Sequence, residues 1–211
     1  MIGNINLNPE TSDVSELGYN YKNESFSFNS TLYHAKYHNK IFRNSQSYQF
    51  ESGIFLDNTS VYQNGNTIAS TGLESELKYQ TKTGLSAFLN FNWLDGDKGD
   101  KVNSSYNFKY VPKITSALGI SKTFDAYNTS ILMNYRDKTQ DAFKNIDSSI
   151  TLDINLSYQQ QFSAMKLNHN LKFENITNET PQVAEYVRRN GAEPLKLELE
   201  TRIYYQVEFI F

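Results

Sequence analysis

The sequence predicts an all-β protein, specifically a portion of an antiparallel transmembrane β-barrel with about nine strands. Three observations lead to this prediction. Apolar and polar residues alternate with a period of two in many consecutive segments, the connections between these segments are alternately short and long, and the chain ends on the aromatic residue Phe211. Because a strand of such a barrel faces lipid on one side and water on the other, it needs this alternation.

The composition fits a barrel better than a helical membrane protein. Hydrophobic residues make up 38% of the chain and the mean hydropathy is -0.60. No apolar run approaches the roughly 20 residues that a membrane helix needs. The 15 Tyr and 14 Phe suit strands and the membrane–water boundary. Cysteine is absent, and a net charge of -3 without a basic tract gives nucleic-acid binding no support.

The same alternation places the individual strands. In chain order they cover residues 15–21, 25–42, 72–79 with an extension over roughly 60–71, 85–93, 114–124, 129–136, 148–158, 165–174 and 195–211. In the last segment the odd positions are apolar apart from Thr201, whereas the even positions are mainly charged or polar up to Glu208. An α-helix would scatter both sets around its circumference.

The lengths of the connections orient these strands. Short connections lie near residues 22–24, 80–84, 125–128 and 159–163, and long ones near 44–59, 95–112, 137–147 and 175–194. Outer-membrane barrels have short periplasmic turns and long extracellular loops, so we expect Phe211 at the periplasmic rim, as the natural C-terminus. No linker interrupts the pattern, and residues 1–211 are expected to form one unit.

A soluble β-sandwich also alternates, but three features favour the barrel. The segment 195–211 is much longer than the about 5–6 residues of a typical strand in a soluble protein. The polar side of nearly every segment carries charges, which suits a water-filled lumen. A soluble sheet that ended in Phe209-Ile210-Phe211 would expose an adhesive edge.

Several short stretches occur in the order that one protein family shows. They are Asn6-Leu7-Asn8-Pro9-Glu10-Thr11-Ser12 with Glu16-Leu17-Gly18-Tyr19, the stretch from Leu32 to Ile41 with its aromatic centre, Tyr62-Gln63-Asn64-Gly65 with Gly72-Leu73-Glu74-Ser75-Glu76-Leu77, Val111-Pro112-Lys113, Glu174-Asn175-Ile176-Thr177-Asn178 and the terminal Phe211. Together they resemble the C-terminal part of the barrel of TonB-dependent receptors, the outer-membrane transporters for iron chelates, cobalamin and similar scarce nutrients.

This resemblance implies a larger parent protein and a set of partners. A barrel of this family has about 22 strands, so the chain would supply the last nine or so and would lack the plug domain and the first half of the barrel. The N-terminal residues show no secretory signal, which agrees with a missing upstream part. The implied partners are the lipid of a Gram-negative outer membrane, the missing plug and barrel half, a TonB-type energy-coupling protein reached through the absent N-terminus, and the barrel-assembly machinery. No cofactor is expected.

Arginines in or beside the long connections are candidate ligand-binding residues. Arg188 and Arg189 lie in the last long connection, and Arg136 lies near the end of a strand. Guanidinium groups pair with carboxylates and phosphates in a bidentate manner, so these residues are suited to an anionic chelate. Ordinary loop charge is the alternative interpretation.

The remaining polar patterns predict neither a metal site nor an enzyme. His34 and His38 on a strand would lie about 13 Å apart at about 3.3 Å per residue, too far for one ion. The acidic stretch that begins at Asp95 departs from an EF-hand, because Gly99 and Tyr106 stand where ligands belong. No catalytic residue stands out. A complete small barrel acting as a pore, an anchor or a rim-site enzyme remains the alternative function.

The apolar face of the last strand carries a candidate assembly signal formed by Tyr205, Val207, Phe209 and Phe211. In the resembled family, and in outer-membrane barrels generally, such a terminal aromatic series resembles the signal that the assembly machinery reads. An open edge strand can pair with a partner of this kind by strand addition. The alternative is that Phe211 is one more ring of the periplasmic aromatic girdle.

Overall fold

The structure is a computed structural model, and it describes residues 4–49, 55–65, 67–96, 111–140, 144–163, 165–184, 194–197 and 199–210. All regular elements in this part are strands. They are β1 (Thr11–Lys22), β2 (Phe26–His38), β3 (Ile41–Gln49), β4 (Phe55–Asn64), β5 (Ile68–Gln80), β6 (Leu85–Gly96), β7 (Ile114–Phe124), β8 (Tyr127–Arg136), β9 (Thr139–Gln140), β10 (Asn145–Ile146), β11 (Ser149–Phe162), β12 (Met165–Glu174), β13 (Gln182–Val183), β14 (Leu195–Lys196) and β15 (Arg202–Ile210). No helix among the described residues has the length and apolar character needed to cross a membrane.

Nine of these strands form one sheet in the order β1-β2-β5-β6-β7-β8-β11-β12-β15. Strands that follow one another in this list also follow one another along the chain, apart from the small strands that lie in the connections. The other six strands pair among themselves, as β3 with β4, β9 with β10 and β13 with β14. The predicted all-β class is therefore confirmed, and the large sheet has the predicted number of strands, nine.

The chain packs as two compact units. The first comprises residues 1–16, 33–71 and 95–108. It contains the β3–β4 pairing, which runs from Ile41 opposite Asn64 to Gln49 opposite Phe55 with a shift in register between Gln46 and Tyr48. At the base of this pairing the Asn64 amide donates to the carbonyl oxygens of Asn8 and Asn39, at 2.9 and 2.7 Å.

The second unit comprises residues 17–32, 72–94 and 109–211 and holds the antiparallel pairs from β6 to β15. Three of its short connections turn at residues with positive φ, namely Gly84 (82°), Asp125 (44°) and Ser163 (39°). Tight turns between antiparallel strands require this backbone region, which Gly and Asp adopt more readily than most residues. The turns fix the register, so many apolar residues face an apolar partner on the next strand, as Leu89 faces Leu118 and Ile120 faces Ile131.

The last predicted strand is wrong in extent. Residues 195–211 were expected to form one strand, whereas β14 covers Leu195–Lys196 and β15 begins at Arg202. The reason is that β12 ends at Glu174, so the segment before Arg202 has no further residues of β12 to pair with, and its strand β14 pairs with β13 instead. Its backbone bonds to the preceding connection instead, as when the Leu197 amide donates to the Pro181 carbonyl at 2.8 Å.

Two further boundaries differ from the prediction. The single strand expected over 25–42 is divided at Asn39, whose φ is 55°. Residues 44–59 were expected to form a long loop, but β3 and β4 cover much of this range. The two strands pair with each other rather than with the large sheet, so their formation does not depend on an alternating apolar face.

The sheet encloses almost no hydrophobic core. Among the described residues, Ala35 and Ile146 are the buried hydrophobic side chains. Large apolar side chains are instead exposed, and Ile203 and Tyr205 on β15 are 65% and 64% accessible. The alternation in the sequence therefore produces an uncovered apolar face rather than an interior.

Candidate functional site

One face of the second unit is lined by amides, hydroxyls and charges. The Gln159 amide donates to Asn168 at 3.0 Å, and the Asn168 amide donates in turn to the Glu208 carboxylate at 3.1 Å. One row further along, the Ser157 hydroxyl donates to Asn170 at 2.7 Å. These bonds join β11, β12 and β15 across the sheet, and they produce a polar, hydrogen-bonding wall.

The opposite face is apolar and carries a row of stacked rings near the short turns. Tyr127 and Tyr158 stack with their centroids 4.7 Å apart, Tyr158 and His169 lie 5.9 Å apart, and His169 and Tyr205 lie 6.2 Å apart. Each ring belongs to a different strand, so the row crosses β8, β11, β12 and β15. Aromatic rings with polar tips are typical of the boundary between lipid and water.

A group of charges lies on the polar face at the other end of the strands, where the long connections begin. The Lys172 ammonium donates to Glu174 at 2.5 Å, and both residues lie on β12. On the neighbouring strand, the Asp153 carboxylate accepts the backbone amide of Asn175 at 2.8 Å. This end of the polar face therefore presents charges of both signs beside a connection that they help to hold.

The connection after β12 is anchored by the buried side chain of Asn175, which is 4% exposed. Its amide donates to the carbonyls of Glu179, at 2.8 Å, and of Leu199. Its side-chain oxygen accepts from the Thr177 hydroxyl at 3.0 Å and from the Glu179 amide at 3.1 Å. The Thr201 hydroxyl closes the group by donating to the Asn175 carbonyl at 2.8 Å. We call these residues the Asn175 anchor.

Arg136, the predicted ligand contact at the end of β8, is half-buried on the polar face. Its guanidinium donates to the Asp147 carbonyl at 3.2 Å and to the Ser149 hydroxyl at 3.5 Å. It stands opposite Thr115 on one side and Ser149 on the other. Arg136 thus holds the start of β11 and uses part of its donor capacity to do so.

These features match a known barrel family. The family model described as TonB dependent receptor-like, beta-barrel matches residues 1–178.

The chain belongs to this family.

Solved structures of TonB-dependent receptors share this fold. The ferric-catecholate import receptor Fiu from K12 E. coli has a TM-score of 0.71 at 13% identity, with 98% of this chain and 29% of Fiu covered. The ferric yersiniabactin uptake receptor FyuA from Yersinia pestis has a TM-score of 0.70 at 16% identity, with coverages of 96% and 30%. The ferric preacinetobactin receptor BauA from Acinetobacter baumannii has a TM-score of 0.64 at 15% identity, with coverages of 94% and 29%. Comparison with curated proteins gives no match.

The chain spans less than a third of the length of each of these receptors. The resemblance found in the sequence is thereby confirmed at the level of the family. In barrels of the TonB-dependent receptor family the strands separate a lumen from lipid, and a wall of this kind has one polar and one apolar face, as the second unit does.

The structure separates the predicted site residues of this TonB-dependent receptor barrel. Arg136 is described above, whereas Arg188 and Arg189 lie outside the described residues. Tyr205 and Phe209 point to the apolar face of β15, where they stand opposite Leu171 and Leu167. Val207, the third residue of the predicted assembly signal, lies on the same face opposite His169. The fourth, Phe211, lies outside the described residues.

The two histidines singled out in the sequence bind hydroxyl groups in the first unit. His34 Nδ1 lies 2.9 Å from the Thr71 hydroxyl, and His38 contacts the Thr67 hydroxyl and the Asp13 carboxylate, both at 3.1 Å. Within the part of the chain that the structure describes, no group of three His, Cys, Asp or Glu side chains could hold a metal ion. Part of the acidic stretch that begins at Asp95 lies outside the described residues.

Sequence reasoning missed the Asn175 anchor and the ring row. The stretch from Glu174 to Asn178 entered the argument only as a family motif. Two asparagines within four residues, Asn175 and Asn178, both have positive φ, 49° and 50°. Asparagine adopts this conformation more readily than other non-glycine residues, so the repeated Asn is the signal that pointed to a structured turn.

Proposed function

We propose that this chain forms part of the wall of an outer-membrane receptor that imports a scarce nutrient, such as an iron chelate or cobalamin, in an energy-coupled way. The observation that carries the proposal is an exposed apolar face backed by a polar, charged face within a TonB-dependent receptor barrel fold. A membrane wall around a water-filled lumen needs both faces.

Contact with lipid accounts for the apolar face. Leaving a large apolar side chain in water rather than burying it costs about 1.5–3 kcal/mol. Ile131 on β8, Ile150 on β11 and Ile203 on β15 are all exposed, along with many other residues of this face. A monomeric soluble protein rarely leaves such a face uncovered, whereas lipid removes the cost. The outer membrane of a Gram-negative bacterium is therefore the proposed location.

Transport by this wall would need parts that the chain does not supply. The proposed partners are a plug domain that closes the lumen, the remaining strands of the barrel, and a TonB-type protein that delivers energy to the plug. The chain covers 29% to 30% of the receptors compared above, which leaves room for these parts. The proposed role is capture and passage of the ligand, with no catalytic step.

The proposed ligand is an anionic metal chelate. Fiu, FyuA and BauA are named for ferric-catecholate, ferric yersiniabactin and ferric preacinetobactin. In this chain, Arg136 lies on the polar face beside a long connection and keeps donors beyond those that bind Asp147 and Ser149. Arg188 and Arg189 are proposed to add charge from the last long connection. Bidentate pairing would favour carboxylate- or catecholate-bearing ligands.

Uptake by cells tests this proposal. A strain that lacks the full-length gene is complemented with it and offered radioactive iron as a ferric catecholate, ferric yersiniabactin or ferric preacinetobactin, or labelled cyanocobalamin. We expect complemented cells to accumulate at least one of these ligands and to stop when a protonophore removes the energy source. If none accumulates, the import proposal fails. If accumulation continues after the protonophore, the barrel is a passive pore.

Arg136→Gln provides the matched variant for ligand capture. Charge-assisted hydrogen bonds contribute about 1.5–3 kcal/mol each, so its loss should raise the ligand concentration for half-maximal uptake about tenfold or more. The maximal rate should stay close to wild type. Lys138→Gln, which removes a neighbouring charge, serves as the control and should behave like wild type. Equal effects of both substitutions would indicate general electrostatic attraction rather than a specific contact.

A further inference from the structure

We propose that the apolar face binds the phosphate groups of two phospholipids at its short-turn end, one at His169 and one at Lys122. Both are basic residues on an otherwise apolar face of the second unit. The inference goes beyond nutrient import and rests only on the part of the proposed function that places this face against lipid.

His169 interrupts an apolar row on β12, where Leu167 and Leu171 are its neighbours on the same face. The ring is held on two sides. Its Nδ1 lies 2.7 Å from the Tyr205 hydroxyl, and it stacks between Tyr158 and Tyr205 with an interplanar angle of 19° to each. Because these contacts fix the orientation of the ring, they also fix the direction in which its second nitrogen, Nε2, points.

That other nitrogen, Nε2, is the proposed donor, in the arrangement in which the Tyr205 phenol donates to Nδ1. When the phenol donates to Nδ1, the neutral ring carries its proton on Nε2. When the ring is protonated, Nδ1 donates to the phenol oxygen and Nε2 still carries a proton. A phosphate oxygen of a lipid headgroup is the acceptor that suits this donor at a membrane boundary, because hydrogen bonds to charged groups are the stronger ones.

Lys122 on β7 lies at the same end of the face. Its ammonium donates to the Thr83 carbonyl in the neighbouring turn at 2.6 Å and stands 5.3 Å from the centre of the Phe124 ring. A lysine whose stem follows apolar surface while its charge reaches a turn is typical of the boundary between lipid and water. Two further N–H groups of the ammonium are available to a phosphate.

The surface between the two basic residues suits lipid rather than a free anion. A shallow cleft of about 290 Å³ lies beside His169, lined mainly by apolar and aromatic side chains including Tyr127, Leu156 and Leu171. Such a lining accepts an acyl chain. Three strand spacings separate β7 from β12 in the sheet, or about 14 Å at about 4.8 Å each. This distance is too large for one phosphate, so each basic residue serves its own lipid.

Native mass spectrometry of the full-length receptor in neutral detergent tests the proposal, with palmitoyl-oleoyl phosphatidylglycerol as the probe. We expect His169→Phe, which keeps the ring stack, to lose one of the tightly bound lipids, and Lys122→Gln to lose another. The double variant should lose both. Lys166→Gln, which removes a lysine from the polar side of β12, should bind as many lipids as the wild type.

Two further probes distinguish binding through the lipid phosphate from binding through the acyl chains alone and from binding of a free anion. The corresponding diacylglycerol, which lacks the phosphate, should bind without the two tight positions, and millimolar inorganic phosphate should not displace the lipid. Unchanged lipid numbers in both His169→Phe and Lys122→Gln would overturn the proposal, as would equal binding of diacylglycerol. Displacement by inorganic phosphate would make the site a free-anion site. Recovery of the folded full-length protein in the soluble fraction without detergent would instead contradict the proposed membrane location.

Discussion

The ring of Phe88 occupies the space that a β-carbon on Gly119 would fill. The two residues are direct partners on β6 and β7, and a Cβ built on Gly119 would lie 2.1 Å from Cε1 of the ring. The pair lies on the polar side of the sheet. Ser86 and Ser121, two residues further along the same two strands, face the same side, and their hydroxyls lie 2.7 Å apart. The Phe88 ring thus lies against the neighbouring strand at Gly119, where any residue with a β-carbon would clash with it.

Gly119→Ala is expected to destabilise the folded receptor by about 1–3 kcal/mol, because the added methyl group forces the Phe88 ring out of its position. The measurement is urea unfolding of the refolded full-length protein in detergent. The loss of unfolding free energy should be smaller when the same substitution is made in a Phe88→Ala background, because the clash is then absent. If Gly119→Ala lowered the free energy of unfolding equally in both backgrounds, the loss of stability would not come from a clash with the Phe88 ring.

Asn175→Ala is expected to loosen the last long connection while the wall stays folded. The substitution removes the bonds of the Asn175 amide and side-chain oxygen, each contributing about 0.5–1.5 kcal/mol, and it places a less tolerant residue at φ 49°. Hydrogen exchange should accelerate in residues 175–184 and not in β11.

Asn178→Ala is the matched control for the anchor, because Asn178 has nearly the same φ, 50°, but fewer side-chain bonds. It should accelerate exchange much less than Asn175→Ala. If the two variants exchange alike, backbone preference rather than the hydrogen bonds holds the connection.

Spin labels along β15 are expected to alternate between lipid and water. In the reconstituted full-length receptor, labels at Ile203, Tyr205 and Phe209 should meet lipid-soluble oxygen, and labels at Gln206 and Glu208 should meet a water-soluble nickel reagent. The alternation should stop before Arg202, since the preceding segment belongs to the connection. Uniform access to the nickel reagent along β15 would remove the case for a membrane wall.

The chain expressed alone is not expected to give a stable monomer in detergent. In its large sheet, β1 and β15 each have a single neighbour, so two strands present unpaired backbone groups. Each such group costs several kcal/mol in lipid. Gel mobility with and without heating and size-exclusion chromatography should show aggregates or self-association. A compact, heat-resistant monomer would support a complete small barrel instead.

Phe211→Ala in the full-length receptor is expected to slow membrane assembly more than it weakens the folded protein. The proposed reason is that the terminal aromatic series is read during assembly by strand addition. Pulse-labelling in cells and urea unfolding separate the two effects. Phe124→Ala, which removes an exposed ring from the apolar face of β7, is the control and should leave assembly near wild type. Similar delays in both variants would favour a girdle role.

The strands and their faces were predictable because a period of two is a local property. Ile150, Leu152 and Ile154 alternate with Thr151 and Asp153 in the sequence, and the register with β8 and β12 follows once the turns are set. Boundaries were not predictable in the same way. Whether Leu195, Leu197 and Leu199 belong to the same strand as Arg202 depends on where β12 ends, and the sequence of the last segment carries no information about that.

The candidate site was less predictable than the wall. Asn175 bonds with Asp153, Leu199 and Thr201, which lie 22 to 26 residues away along the chain. Contacts of this range depend on the register of three strands and leave no pattern in any one segment. Arg136 was predicted from its position near a strand end, but its bonds to Asp147 and Ser149 required the fold.

Neighbours in the large sheet are also neighbours in the chain, and three of the connections carry a two-stranded sheet of their own. Each of these connections therefore begins and ends at adjacent strands of the large sheet. Such a connection can lengthen, shorten or be exchanged between genes while the pairing of the strands in the large sheet is retained, because insertions at exposed loops cost little closure entropy. Ligand preference is then free to diverge faster than the wall, and receptors with little sequence in common can keep superimposable strands.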